Sequence, residues 1–118
     1  MQGSALAIDG ETKKADLTLR TLLSREKDVK TQIMINNNLG INSWLNAQDT
    51  QTSEQRFLKC LELSGLTTDQ TEFQDYDTST ALFLANYSSL LVTQTSRDTK
   101  NVSEILKLTL RYFEGACD

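Results

Sequence analysis

The residues best suited to chemistry lie in an acidic stretch near the middle of the chain, residues 69–77. Clustered carboxylates can bind a hard cation or act as an acid and base pair. A calcium loop beginning at Asp75 would have Thr80 in place of the turn glycine and Asn86 in place of the bidentate glutamate. A phosphoryl-transfer pair, Asp75 and Asp77, should follow a buried strand, and the residues before them do not form one. We therefore expect a solvated loop that caps the next helix, with no catalytic, cofactor or metal-binding residue.

Other kinds of catalytic site lack the residues they need. The chain has no histidine, which excludes Ser/His/Asp and Cys/His nucleophile systems and histidine metal ligands. The glycines are too scattered to form a phosphate-binding loop or a dinucleotide fingerprint. They stand at Gly3, Gly10, Gly40, Gly65 and Gly115. We expect a protein that is not an enzyme.

Charge and hydropathy point to a cytoplasmic protein that contacts neither nucleic acid nor membrane. Residues 1–59 carry eight Lys or Arg against seven Asp or Glu, whereas residues 60–118 carry four against nine. An acidic half disfavours phosphate contacts, which need clustered Lys and Arg. No apolar run approaches the ~20 residues that cross a bilayer, and the N-terminus lacks the pattern of a signal peptide.

Length and composition predict one domain over residues 1–118. The 118 residues are 38% hydrophobic and 24% charged, with no proline, which is typical of a folded chain with one modest core. Of the two cysteines, Cys60 is expected in the core and Cys117 as a free thiol in the tail. Trp44 fills the core or anchors a partner, and the core is the interpretation that we favour.

The first 20 residues predict a short β-hairpin arm. Residues 4–8 are followed by Asp9-Gly10, which tolerates the positive φ of a tight turn. Apolar side chains then alternate through Ala15, Leu17 and Leu19, as in a half-buried strand. The alternative is a helix that starts near Lys13.

Apolar periodicity predicts a helical body over residues 22–114, so the fold class is mainly α with about four helices, or α+β with the hairpin. The four predicted helices cover residues 22–35, 53–64, 78–93 and 101–114. Asn36 to Gly40 and Gly65 are the expected stops for the first two, and residues 67–70 predict a short helical turn. The third has Asp77 as its cap. The fourth begins at a capping box and is closed by Gly115, with a strand over residues 106–112 as the alternative.

The third predicted helix has an apolar surface too broad for one neighbouring helix to cover. The side chains that we expect to bind a partner are Leu82, Phe83, Leu90 and Leu91. The competing interpretation places each of them in the core.

Three segments resemble the tail assembly chaperones of long-tailed bacteriophages. These are Leu6-Ala-Ile-Asp-Gly-Glu-Thr12, the strand-like Ala15-Asp-Leu-Thr-Leu-Arg20, and Glu54-Gln-Arg-Phe-Leu-Lys-Cys-Leu-Glu-Leu-Ser-Gly-Leu66 followed by Asp75-Tyr-Asp77. The resemblance is one of layout and covers residues 5–92. It implies a chaperone in the host cytoplasm that keeps the tape-measure protein soluble while tail-tube subunits polymerise around it. The expected partner is thus the tape-measure protein or the tail-tube protein, and we expect the chain itself to form a homo-oligomer. The resemblance implies no fixed binding motif.

Two other hypotheses remain open. A self-assembling structural or adaptor subunit, with no chaperone role, would form homo-oligomers in which the basic residues of one copy face the acidic residues of the next. The basic set is Lys13, Lys14, Arg20, Arg25, Lys27 and Lys30, and the acidic set is Asp69, Glu72, Asp75 and Asp77. The other hypothesis is a metal-assisted enzyme built on the acidic stretch.

Overall fold

The computed structural model describes residues 2–94 and 99–117, with side chains described over residues 10–94 and 100–115. This part of the chain is mainly helical, as predicted, and contains no strand. Its elements are α1 (Gln2–Arg25), α2 (Val29–Ile41), a π-helical turn (Asn42–Asn46), α3 (Thr50–Ser64), α4 (Thr78–Thr93) and α5 (Thr99–Cys117).

The N-terminal β-hairpin is not seen, because residues 2–25 form the helix α1. The alternative of a helix is closer to the structure, although α1 begins well before Lys13. Thr12 is buried, and the partly buried Asp16, Leu19 and Leu23 follow it at the spacing of a helical stripe. The side-chain amide of Asn42 donates a hydrogen bond to the Thr12 carbonyl oxygen at 3.1 Å. A helix therefore packs against the body, whereas an isolated two-stranded hairpin would bury little.

The predicted first helix, residues 22–35, is wrong at both ends. Residues 26–28 separate α1 from α2, and the Asp28 carboxylate caps α2 by accepting hydrogen bonds from the Thr31 amide (3.1 Å) and hydroxyl (2.7 Å). The expected stop at residues 36–40 lies inside the helix. The buried Asn36 amide donates to the Gln32 backbone carbonyl oxygen within the same helix, and the buried Asn37 Oδ1 accepts from the Asn86 amide of α4. Both side chains thus have partners that are compatible with the helix continuing.

Gly40 lets α3 cross close to α2. A Cβ atom at this position would lie 2.9 Å from Cε1 of the Phe57 ring, which is fully buried. The Ser53 hydroxyl donates to the Gly40 carbonyl oxygen at 2.6 Å across the same contact. The glycine that local pattern marks as a helix end is needed here for close packing.

The helix α3 begins at Thr50, three residues before the predicted start. Its cap is Asp49, whose carboxylate accepts hydrogen bonds from the Thr52 amide (3.1 Å) and hydroxyl (2.6 Å). The predicted stop at Gly65 is confirmed, since Gly65 adopts the left-handed conformation with φ of 76°. The two N-caps of α2 and α3 are thus aspartates that sequence analysis passed over.

The helix α4 has its predicted bounds and follows Asp77, whereas α5 begins at Thr99 and continues past Gly115. The strand alternative for residues 106–112 is wrong. Residues 66–77 form a loop, with only a turn at residues 67–70. The Arg111 guanidinium donates to the carbonyl oxygens of Thr68 (2.6 Å) and Gln70 (2.9 Å), which fixes this loop on α5.

The core forms around α4, which packs against α2, α3 and α5. Two buried clusters meet there, one containing Cys60 and Phe83 and the other Phe57 and Tyr87. Cys60 is a core residue as predicted, and Trp44 packs against the second cluster while partly exposed. The side chain of Cys117 lies outside the described residues.

Candidate functional site

The helix α4 carries no charged side chain in any of its 16 residues. Its broad inner side is buried against three other helices. On the outer side, Leu82, Ala85, Ser89 and Val92 recur at the spacing of one helical face. The helix therefore presents an uncharged strip to solvent along its length.

The outer side of α5 continues this strip. The hydroxyls of Ser88 and Thr109 share a buried hydrogen bond of 2.9 Å, which marks the line where α4 and α5 touch. Leu106, Leu110 and Phe113 follow one another at helical spacing on the solvent side of Thr109. The exposed Lys107 and Glu114 border them on the same helix. Helical periodicity places them beside the outer strip of α4.

We call these side chains the α4–α5 apolar surface, defined by Leu82, Val92, Leu106, Leu110 and Phe113. The exposed fractions are 61% for Leu110, 60% for Val92, 50% for Leu82 and 37% for Phe113, while Leu106 is partly buried. Single exposed apolar side chains are ordinary, but a contiguous group without charge is typical of an interaction site.

Of the four side chains predicted to bind a partner, Leu82 belongs to this surface. Phe83, Leu90 and Leu91 are instead buried in the core, at 0–1% exposure. A partner cannot contact these three side chains in this structure. Binding of a partner through Leu82 stays a prediction. Val92, Leu106, Leu110 and Phe113 were missed. The sequence feature that could have predicted them is an apolar stripe on each helix. That stripe can be assigned to the surface only when the buried face of the helix is known.

The acidic stretch forms local hydrogen bonds. The Asp69 carboxylate accepts from the Thr67 hydroxyl at 2.8 Å, and the Asp77 carboxylate accepts from the Thr80 hydroxyl at 3.3 Å. The Asp77 amide donates to the Tyr112 hydroxyl oxygen at 2.7 Å. Asp75 is exposed, and nowhere in the described part of the chain do three potential metal ligands come together.

The pKa shifts concern packing and helix ends. Burial raises the pKa of the Cys60 thiol to about 12, so it stays protonated at neutral pH and is a poor nucleophile. Hydrogen bonds from Thr31 lower the pKa of Asp28, and those from Thr52 lower the pKa of Asp49. Each lowered pKa belongs to an exposed N-cap.

Comparison with known proteins adds no further guide to function. No family model, no curated protein and no solved structure matches this chain. No helix among the described residues is long and apolar enough to cross a membrane. The α4–α5 apolar surface is the feature that bears most directly on function.

Proposed function

We propose that this chain is a non-enzymatic protein-binding protein whose α4–α5 apolar surface binds an amphipathic helix of a partner. The observation that carries the proposal is the exposure of Leu82, Val92 and Leu110 on two adjacent helices, of which α4 has no charged residue. On α5, the exposed Lys107 and Glu114 border the apolar side chains. A helix lying along such a strip would bury its own apolar stripe. Each exposed leucine or valine that becomes fully buried contributes about 1–2 kcal/mol, so a few of them suffice for a specific complex.

The partner proposed from the resemblance is the tape-measure protein of a phage tail, in the host cytoplasm. A long helical chain exposes the kind of apolar stripe that this surface can cover, and the acidic net charge of −4 would oppose aggregation of the complex. Support comes from the later segments, where α3 ends at Ser64 and the acidic loop leads into α4. Residues 6–12 lend no support as a hairpin, since they are helical.

Light scattering coupled to size-exclusion chromatography tests the proposal. The full chain is run alone and with a long amphipathic coiled-coil fragment that precipitates by itself, at low and high salt. We expect a soluble complex that persists at high salt, because apolar burial is not screened by ions. A fragment that precipitates equally with and without the chain would rule the function out.

Paired variants locate the binding surface. Val92→Glu combined with Leu110→Glu adds two charges to the strip and should abolish the complex. Leu17→Glu combined with Leu22→Glu on α1 is the matched control, because these side chains are 60% and 51% exposed, similar to the exposures of Val92 and Leu110. Equal loss of binding in both proteins would move the site away from α4–α5.

A self-assembling subunit is the second candidate. The observation that favours it is charge placement, since Lys14, Arg25 and Lys30 are exposed on α1 and α2 while Asp69, Glu72 and Asp75 are exposed on the loop. Head-to-tail contact between such surfaces would give oligomers that dissociate as salt rises. Salt-sensitive oligomers of the chain alone, with no effect on the coiled-coil fragment, would favour this candidate over the first.

A further inference from the structure

A cleft of about 600 Å³ lies between α2 and α3, near the end of α1. It is within the size range of small-ligand sites. Two cationic side chains of α3, Arg56 and Lys59, line this cleft. The side-chain amides that line it are Gln32 and Asn36 of α2 and Gln55 of α3. Among the described side chains that line it there is no carboxylate, in a chain whose net charge is negative.

Arg56 is the residue that gives the cleft its chemistry. Its guanidinium is partly buried and donates one long hydrogen bond, 3.4 Å, to the Oδ1 atom of Asn36. No carboxylate among the described side chains forms an ion pair with it. Since a guanidinium has several N–H donors in a planar fork, most of them have no acceptor among the residues that the structure describes.

The side chain of Asn36 holds the guanidinium from one side. Asn36 is 1% exposed, and its own amide donates to the Gln32 carbonyl oxygen at 2.9 Å, which fixes its orientation. The Oδ1 atom is thereby presented to Arg56. Asn36 thus acts as a positioning residue for Arg56. The remaining N–H groups of the Arg56 guanidinium are then available to the cleft.

Lys59 adds positive charge at the same place. Its ammonium lies 3.5 Å from Glu62, and both side chains are largely exposed, at 49% and 72%. An exposed pair of this kind is weak and exchanges readily with solvent. The charge of Lys59 therefore remains open to a second anion in the cleft.

We propose that the α2–α3 cleft binds an oxyanion, a carboxylate or phosphate group, on the fork of Arg56. Two parallel N–H···O bonds from a guanidinium match the geometry of such a group. Lys59 supplies further charge, and the amide of Gln55 binds the polar remainder of the ligand, since the Gln32 amide nitrogen already donates to the Glu26 carbonyl oxygen at 2.8 Å. The group belongs to a free organic acid, to inorganic phosphate or to an acidic side chain of a protein, and the site is separate from the α4–α5 apolar surface.

The test is an NMR titration of the full chain at constant ionic strength. Three probes are added separately: glutarate, inorganic phosphate and a short acidic peptide, each against an equal concentration of chloride. We expect at least one probe to give saturable shifts at the Arg56 side-chain Nε–H and at the amides of α2 and α3. The probe that saturates first identifies the source of the group. Shifts that rise linearly with all three, as with chloride, would overturn the proposal.

Matched variants keep the result specific to Arg56. Arg56→Gln should weaken binding by about tenfold or more, because a charge-assisted hydrogen bond is lost. Arg56→Lys retains the charge without the fork and should weaken it less. The control is Lys107→Gln, which removes an exposed cation from α5. If Arg56→Gln binds as tightly as Lys107→Gln, the cleft is not the site. Should Arg56→Gln fail to fold, the comparison of Arg56→Lys with Lys107→Gln decides in the same way.

Discussion

The α2–α3 contact and the outer side of α4 and α5 differ in how far their apolar side chains are buried. At the first, Phe57 lies against Gly40 so closely that no side-chain atom fits between them, and the Ser53 hydroxyl bonds across the contact. At the second, Val92 and Leu110 remain more than half exposed. The first contact buries its apolar side chains in the core, and the second leaves them exposed to solvent.

The largest expected effect separates these two regions directly. Phe57→Ala removes a fully buried ring and should lower the free energy of unfolding by about 3–5 kcal/mol. Leu110→Ala should change it by less than about 0.5 kcal/mol, because the side chain is already mostly in water. Urea unfolding followed by circular dichroism measures both. Similar losses would mean that the outer side is part of the core.

A second prediction tests the close approach itself. Gly40→Ala should destabilise the protein by about 1–3 kcal/mol, since the new Cβ atom meets a ring that cannot move without disturbing the core. Gly115→Ala is the matched change in α5, where the nearest atom would be 3.8 Å away. It should stabilise by up to about 1 kcal/mol through helix propensity. Equal stability of the two variants in urea would contradict the packing described for Gly40.

A third prediction concerns the inner side of α5, which holds the acidic loop. Tyr112→Phe removes the hydroxyl that accepts from the Asp77 amide and should cost about 1–2 kcal/mol. Hydrogen exchange should accelerate at the Asp77 amide more than elsewhere. Tyr76→Phe is the control, because Tyr76 is 51% exposed. Unchanged exchange at Asp77 would show that the loop is held by other contacts.

The smallest expected effect is the pH dependence of the N-caps. The pKa of Asp28 and that of Asp49 lie below the ordinary value of 3.8, so their contribution to stability is complete above that pH. It is lost as the pH falls below 3.8 through the lowered values. Asparagine also caps helices but does not titrate, so Asp28→Asn with Asp49→Asn should flatten the fall in melting temperature in this window. If the melting temperature of the double variant falls with pH as steeply as that of the original protein, the acid sensitivity comes from other carboxylates.

Sequence patterns correctly predicted the helix bounds that depend only on neighbouring residues. The bounds of α4 and the stop at Gly65 follow from short-range chemistry, namely an apolar run and a left-handed glycine. Asn36 to Gly40 carries the same kind of stop signal and yet stays helical. The reason is long-range, since Asn86 bonds to Asn37 and the Phe57 ring fills the space beside Gly40.

The α4–α5 apolar surface was predictable only in part, for a related reason. An uncharged helix that is apolar on several sides does not reveal which side its neighbours will cover. Leu82 was assigned with Phe83, Leu90 and Leu91, and the structure places the last three inward. The positions of α2, α3 and α5 decide the matter, and they depend on contacts between residues far apart in the chain.

The most direct test of the account places a benzophenone photocrosslinker at position 110 of the full chain, with position 17 as the control. Both sites are about equally exposed. After irradiation with the amphipathic coiled-coil fragment, we expect a crosslinked product from position 110 and almost none from position 17. Crosslinking from position 17 alone would contradict the assignment of the α4–α5 apolar surface as the site where this protein binds its partner.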